Sequence, residues 1–401
     1  MQLQKTLRRL VKSICGGSLE NKSPRQEPPP TLQDEIIVSG IANYLSFDFS
    51  SIKRLTLGYL SSLHMEGGND YEYAYTYGHT KTNIYNSTYA CALLAMYNEL
   101  SDKPLSLLTG WIDYFNSFQD PESGLFIDPS IRNEHFDNSD WWGARHLVPQ
   151  IISAYTALGA RPRHQFHWAK PFYNVSVLDQ MIDSCDWTTA IPDENDIDNK
   201  IMNIGVAMQY QRDFWQDDEA ARALTYLKNL LIEKTNPATG LWGGYNSNDP
   251  YELPRMIQFA YHLLRIFIYD HDPIENPEKI IDLTLASQNV YGGFGEKLNS
   301  SACEDIDAVD ILIYLSRQTN YRSNDISIAI RRAFIFILSN MNRDGGFVFR
   351  RDEPLWYGHD DMYSDSNVSA LFPTWFRTLS IAHICDYLGT GSYNIVKCPG
   401  Y

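Results

Sequence analysis

Three closely spaced carboxylates, Asp305, Asp307 and Asp310, could do acid–base chemistry. They follow Ser301-Ala302-Cys303-Glu304, which has the form of a capping box: Ser301 caps a helix and Glu304 reaches back to it. Capping and the helix dipole account for Glu304 and in part for Asp305. They do not account for Asp307 and Asp310, which share one face of an otherwise apolar helix. A buried carboxylate must be paired or neutral, so Asp307 is expected either to meet an arginine or to line a cavity. Asp307 is therefore the candidate catalytic residue, with Asp305 and Asp310 in support. Cys303, Asp305 and His359 are a chemically permissible ligand set, but neither a metal nor another cofactor is expected.

Other polar and aromatic groups recur where helices begin. Trp141, Trp142, Arg145 and His146 open one helix, Asn203 follows on the next, and Arg255 on the one after. Tyr357 and His359 stand in the loop before the last helix. Paired tryptophans beside Arg145 and His146 suit the wall of a hydrophobic, cationic or sugar site. These eight residues are the candidate substrate-binding set. Taken singly, each is more often structural than catalytic; their convergence is what points to a site.

Helices must position these groups. Apolar residues recur at helical spacing, Gly-, Pro- and Asp-rich breaks separate the segments, and strand-like alternation is almost absent. The spacing predicts about twelve helices between Ser51 and Leu388. A turn recurs after alternate helices: Gln119 leads to Gly124-Leu125-Phe126, Thr235 to Gly240-Leu241-Trp242, Gln288 to Gly292-Gly293-Phe294, and Asn342 to Gly345-Gly346-Phe347. The interval is about 50 residues, and the first is twice that, with Cys185-Asp186-Trp187 as the degenerate unit between. Helices after the turns are apolar around most of their circumference and those before them are amphipathic. Inner and outer rings follow: an all-α, (α/α)6 toroid with six inner and six outer helices. Residues 1–31 are expected to be a basic tail and Pro-rich linker, and 32–401 the toroid.

These Gln/Asn-x-x-x-Gly-Gly-Phe/Trp turns resemble the QW-type repeats of the terpenoid cyclase and protein prenyltransferase superfamily. The resemblance covers most of 32–401 and implies a cavity where the inner helices begin. Prenyltransferases would bring a zinc site, but Cys303-Glu304-Asp305 has the residue types in reversed order and the last inner helix lacks a His near its start. Class II cyclases protonate an alkene or epoxide through the middle Asp of Asp-x-Asp-Asp. Asp305-Ile306-Asp307 matches its first three positions and Ala308 departs from the fourth. The resemblance thus implies a terpenoid-cyclase-like enzyme in which Asp307 protonates a polyprenyl substrate. The alternative is a carbohydrate-active (α/α)6 enzyme, a glycoside hydrolase or polysaccharide lyase, using two inner-helix carboxylates such as Asp140 and Asp307. The second alternative is a non-catalytic binding scaffold.

Composition narrows the partners. Lys plus Arg is 33 against 49 for Asp plus Glu, a net charge of −16, so no nucleic acid is expected. The expected partner is a small molecule, isoprenoid or sugar. The six cysteines form no C-x-x-C pair and suit reduced thiols in a cytoplasmic protein. Residues 1–15 are short, basic and weakly amphipathic. A solvated tail is the expectation there, and weak peripheral membrane contact the alternative.

Overall fold

The computed structural model describes residues 49–187, 191–192, 196–390 and 393–401. The tail and linker at 1–31, with the membrane contact considered for 1–15, lie outside the described residues.

In chain order the helices are α1 (Phe49–Ser62), α2 (Ile84–Met96), α3 (Leu105–Asn116), the short α4 (Glu134–Asn138), α5 (Leu147–Ala157), α6 (Val175–Asp183) and α7 (Ile197–Trp215). They continue with α8 (Asp218–Glu233), α9 (Glu252–Tyr269), α10 (Pro277–Ala286), α11 (Ala302–Ser316), α12 (Ser323–Ser339) and α13 (Leu371–Leu388). A 3-10 helix at His167–Tyr173 precedes α6. Strands β1 (Leu355–Trp356) and β2 (Tyr363–Ser364) form a small antiparallel hairpin between α12 and α13.

Burial separates two rings. Along α2, α5, α7, α9, α11 and α13 most residues are buried, whichever way they face. The outer α8 instead buries only Ala220, Ala223, Leu224, Leu227 and Leu231, a single stripe at helical spacing. The inner helices pack in sequence, α2 on α5, then α7, α9, α11 and α13, and α13 packs back on α2. That closed circuit is the all-α toroid. Because outer and inner helices alternate, all six inner helices run in one sense and their N-termini gather at one mouth.

The recurrent turns join each outer element to the next. The Gln119 amide donates to Gly124 O within its own turn and to His164 O beyond it, at 3.0 and 2.8 Å. Gln288 repeats this with Gly292 O and with Ala329 O on α12, again at 3.0 and 2.8 Å. The final turn closes the ring on α1. Gly345 has φ +96°, and a Cβ there would lie 2.0 Å from Leu55 O, so only glycine lets the two backbones meet. Thr56 Oγ1 donates to Gly345 O across the same contact.

Local sequence sets the inner-helix starts. The capping box of Ser301 and Glu304 is formed as its spacing predicts. The Asn83 side chain caps α2. One buried ion pair then fixes α11 against α13: Arg377 Nη1 lies 2.8 Å from Asp305 Oδ2. The same guanidinium donates to Val348 O, Phe349 O and Ser300 O. Asp305 also accepts from Ser300 Oγ and the Phe294 N–H. Removing one partner of such a pair strands a charge in the core. Arg377→Met is expected to lower unfolding free energy in urea by about 3–5 kcal/mol, and Asp305→Asn in the same chain to restore part of it. A single-variant loss below about 0.5 kcal/mol would show that the pair ties nothing together.

Candidate functional site

The segment that enters α5 builds one wall of the mouth. Asn133 caps α4 by accepting from the Phe136 N–H, and α4 ends at Asn138. Arg145 then folds back over the loop. Its guanidinium engages both oxygens of Asp140, at 2.6 and 3.2 Å, and donates to Asn138 O at 2.9 Å. From α7, the buried Asn203 donates to Asp140 O at 2.9 Å. Ser139 Oγ donates to Asp196 Oδ2, at the N-terminus of α7, at 3.0 Å. Asp140 and Asp196 are thereby held on facing elements.

Between those elements lies a cleft of about 1050 Å³. Glu134, His135, Asn138, Asp140 and Arg145 line one side; Asp196 and Lys200 of the α7 start line the other; Trp168 and Phe172 of the 3-10 helix supply aromatic surface. Of the candidate substrate-binding residues, Arg145 alone lines it.

Trp141, Trp142, His146, Tyr357 and His359 meet in an aromatic cluster beside this cleft. The Trp142 ring lies nearly parallel to those of Tyr85, His135 and His359, with centroids 5.6, 5.7 and 6.4 Å away. Tyr357 stacks on Phe372 at 4.1 Å. Gly358, with φ +76°, lies flat on Trp142, where a Cβ would come within 2.1 Å of the indole. The hairpin loop is thus packed down onto the segment before α5 and onto α13. Tyr85, pinned by the Gly143 backbone, places its hydroxyl 3.2 Å from His146 Nδ1. Burial, with His262 adding to it, pushes the His146 imidazole down to about 3. Arg255 is placed elsewhere, exposed on the first turn of α9.

The three acidic candidates on α11 have separate environments. Asp305 is engaged by Arg377. Asp310 lies 3.0 Å from His383 Nδ1 and accepts from Tyr261 Oη at 2.9 Å. Burial opposes its ionisation, but His383, Arg265 and Tyr261 together hold it at about 2. Asp307 is buried, and its Oδ2 has no hydrogen-bond partner among the described residues. Burial pushes its carboxyl up to about 8, against the pull of His262 and Arg265.

These groups belong to an ionisable network inside the ring. Asp198 on α7 lies 2.7 Å from His262 on α9. Burial alone would lower the His262 imidazole, but Asp198 outweighs it and holds it above its usual value. Arg265 on α9 lies over the rings of Tyr401 and Tyr261, at 4.3 and 5.1 Å. Sequence reasoning passed over His262, Arg265 and His383 because each sits in a helix that otherwise reads as apolar. That isolation within an apolar run was the available signal. The cleft residues His135, Trp168 and Asp196 were also missed, since they sit in or beside short irregular segments with no helical pattern, as was Lys200, one charge on the first turn of a helix. Among the described residues no cluster of His, Cys, Asp and Glu is arranged to hold a metal.

No family model matches the chain, and no curated protein matches its sequence. Several solved structures are similar to the chain. A GH76 alpha-mannanase from Bacteroides thetaiotaomicron is 11% identical, covering 87% of this chain and 98% of that one, with a TM-score of 0.48. A polysaccharide lyase is 12% identical over 85% and 97% of the two chains, also at 0.48. A possible GH105 member from Salmonella enterica serovar Paratyphi A is 12% identical over 96% and 94%, at 0.33. At this identity and these scores the likeness assigns no activity to this chain.

None of these is a terpenoid cyclase or a protein prenyltransferase, and the expected membership of that superfamily is corrected accordingly. So is the expectation that Asp307 protonates a polyprenyl substrate. The physical reason is local: Asp307 lies among His262, Arg265, Glu304 and Asp310 and does not line the large cleft. A hydrocarbon placed at Asp307 would leave these charged groups desolvated and unpaired. Phe294, in the turn that precedes α11, is core.

Asp307 generates a pH prediction. An unfolded aspartate titrates near 3.9, whereas the folded carboxyl titrates at about 8. The fold favours the neutral form, so this contribution to stability is complete below about pH 4 and is lost as pH rises towards 8. The loss approaches about 1.4 kcal/mol per pH unit within that window. Asp307→Asn is expected to be more stable than the parent at pH 8, with the gap shrinking on acidification towards pH 4. Denaturation midpoints that stay parallel for the two proteins across this range would contradict it.

Proposed function

We propose that this chain acts on a carbohydrate. The observation that carries this reading is the cleft between the α4–α5 segment and the start of α7. It presents carboxylates, a guanidinium, an ammonium and side-chain amides next to Trp168 and Phe172. Sugar hydroxyls exchange hydrogen bonds with the first set, and the apolar face of a sugar ring packs on the last. An isoprenoid chain satisfies none of those polar groups and would leave them desolvated.

Within the cleft, Asp140 and Asp196 form the carboxylate pair. Both line the cleft, each oriented by a hydrogen-bond partner, Arg145 for Asp140 and Ser139 for Asp196. Glycoside cleavage uses two carboxyl groups flanking the scissile bond, one as acid and one as base or nucleophile. The bidentate clamp from Arg145 favours the acceptor role for Asp140. This replaces the pairing of Asp140 with Asp307, because Asp307 faces the interior network and does not line the cleft.

Incubation with a panel of polysaccharides, followed by reducing-end and unsaturated-product assays, tests this reading. Asp140→Asn and Asp196→Asn are each expected to lower kcat by about 100-fold or more. Cleavage that survives both substitutions would move the chemistry away from this pair. A chain that neither binds nor cleaves any glycan would end the carbohydrate reading.

A further inference from the structure

The hairpin over the mouth carries an aromatic pair that the cleft does not use. Trp356 and Tyr363 are direct partners across β1 and β2, so their side chains leave the same face of the ribbon. Their strand neighbours Leu355 and Ser364 are buried, while Trp356 is 50% and Tyr363 36% exposed. Both polar edges are tied down. The Trp356 indole N–H donates to Asp360 Oδ1 at 3.1 Å, and Tyr363 Oη donates to Asp365 Oδ1 at 2.8 Å. What remains open is ring surface, held in a fixed place.

This surface is continuous with the cleft. His135 lines the cleft, and its ring lies 4.9 Å from Trp141 and 6.2 Å from Trp356. Trp141 and Trp356 are 6.5 Å apart. A line of rings therefore leads from the cleft, past His135 and Trp141, onto the hairpin.

Charge selects among glycans. The cleft lining has Glu134, Asp140 and Asp196 against Arg145 and Lys200, an acidic excess of 3 − 2 = 1. The hairpin loop adds Asp360, Asp361 and Asp365, of which Asp361 is paired with Lys81, and the whole chain carries −16. A polyuronate would meet like charge at both ends of the path.

Resting on the carbohydrate reading, we infer that Trp356 and Tyr363 form a second sugar-binding platform continuous with the cleft, and that the ligand is a neutral glycan chain long enough to span both. A chain on this path gains contacts with length until it reaches the hairpin, then stops gaining.

Calorimetric titration of the full chain with size-graded neutral oligosaccharides (gluco-, manno- and xylo-oligomers), beside polygalacturonate fragments, tests this. Affinity for one neutral series is expected to rise with length. Trp356→Ala should lower the affinity of the long members about tenfold and flatten the length dependence, while Trp356→Phe, which keeps a flat ring, should restore most of it. Neutral glycans that bind Trp356→Ala with the parent's length dependence would overturn the platform and leave the cleft reading standing. Tighter binding of polygalacturonate would overturn the choice of a neutral glycan. A parent chain that binds neither series would remove the carbohydrate reading itself.

Discussion

The close approach of each turn to the next outer element is the constraint on which the toroid depends. An inner helix apolar on most sides cannot stand until neighbours cover it, and the ring is stable only when closed. Gln119 and Gln288 supply the tie by spending one amide on two carbonyls, their own turn and the neighbour. At Gly345 the missing side chain lets the last turn reach α1, across a hydrogen bond that spans 289 residues of chain. Repeated units that bury their faces only on one another must solve this problem at every junction.

Closure also decides what the interior can hold. Four consecutive inner helices, α7, α9, α11 and α13, bring Asp198, His262, Arg265, Asp307, Asp310 and His383 into one network. Most of these charges are paired, as burial demands. Asp305 with Arg377 goes further, linking two helices to the base of the hairpin loop through one guanidinium. Asp307 is the exception, answering burial by holding its proton. The interior therefore looks built for order, while the cleft at its rim has the open, mixed-polarity surface that a ligand needs.

Much of the architecture was legible beforehand. The helix periodicity, the glycine turns and the capping box at Ser301 are local signals, and each describes geometry set by neighbours in sequence. The candidate site was legible only in part. Trp141, Trp142, His146, Tyr357 and His359 do meet, because helix starts gather at one mouth. Yet the partial Asp-x-Asp motif misled: its first aspartate found an arginine far along the chain, and its second found no hydrocarbon cavity.

The sequence by itself therefore determined the helices, their inner and outer character and the repeat that arranges them, since these follow from spacing, capping and backbone freedom within short stretches. Only the tertiary structure decided which carboxylates are paired, which one is left protonated, and where a cleft of mixed polarity opens. Those outcomes depend on distances between helices that are remote in sequence. A change of a few ångströms there turns the same aspartate from an ion-pair partner into a buried acid.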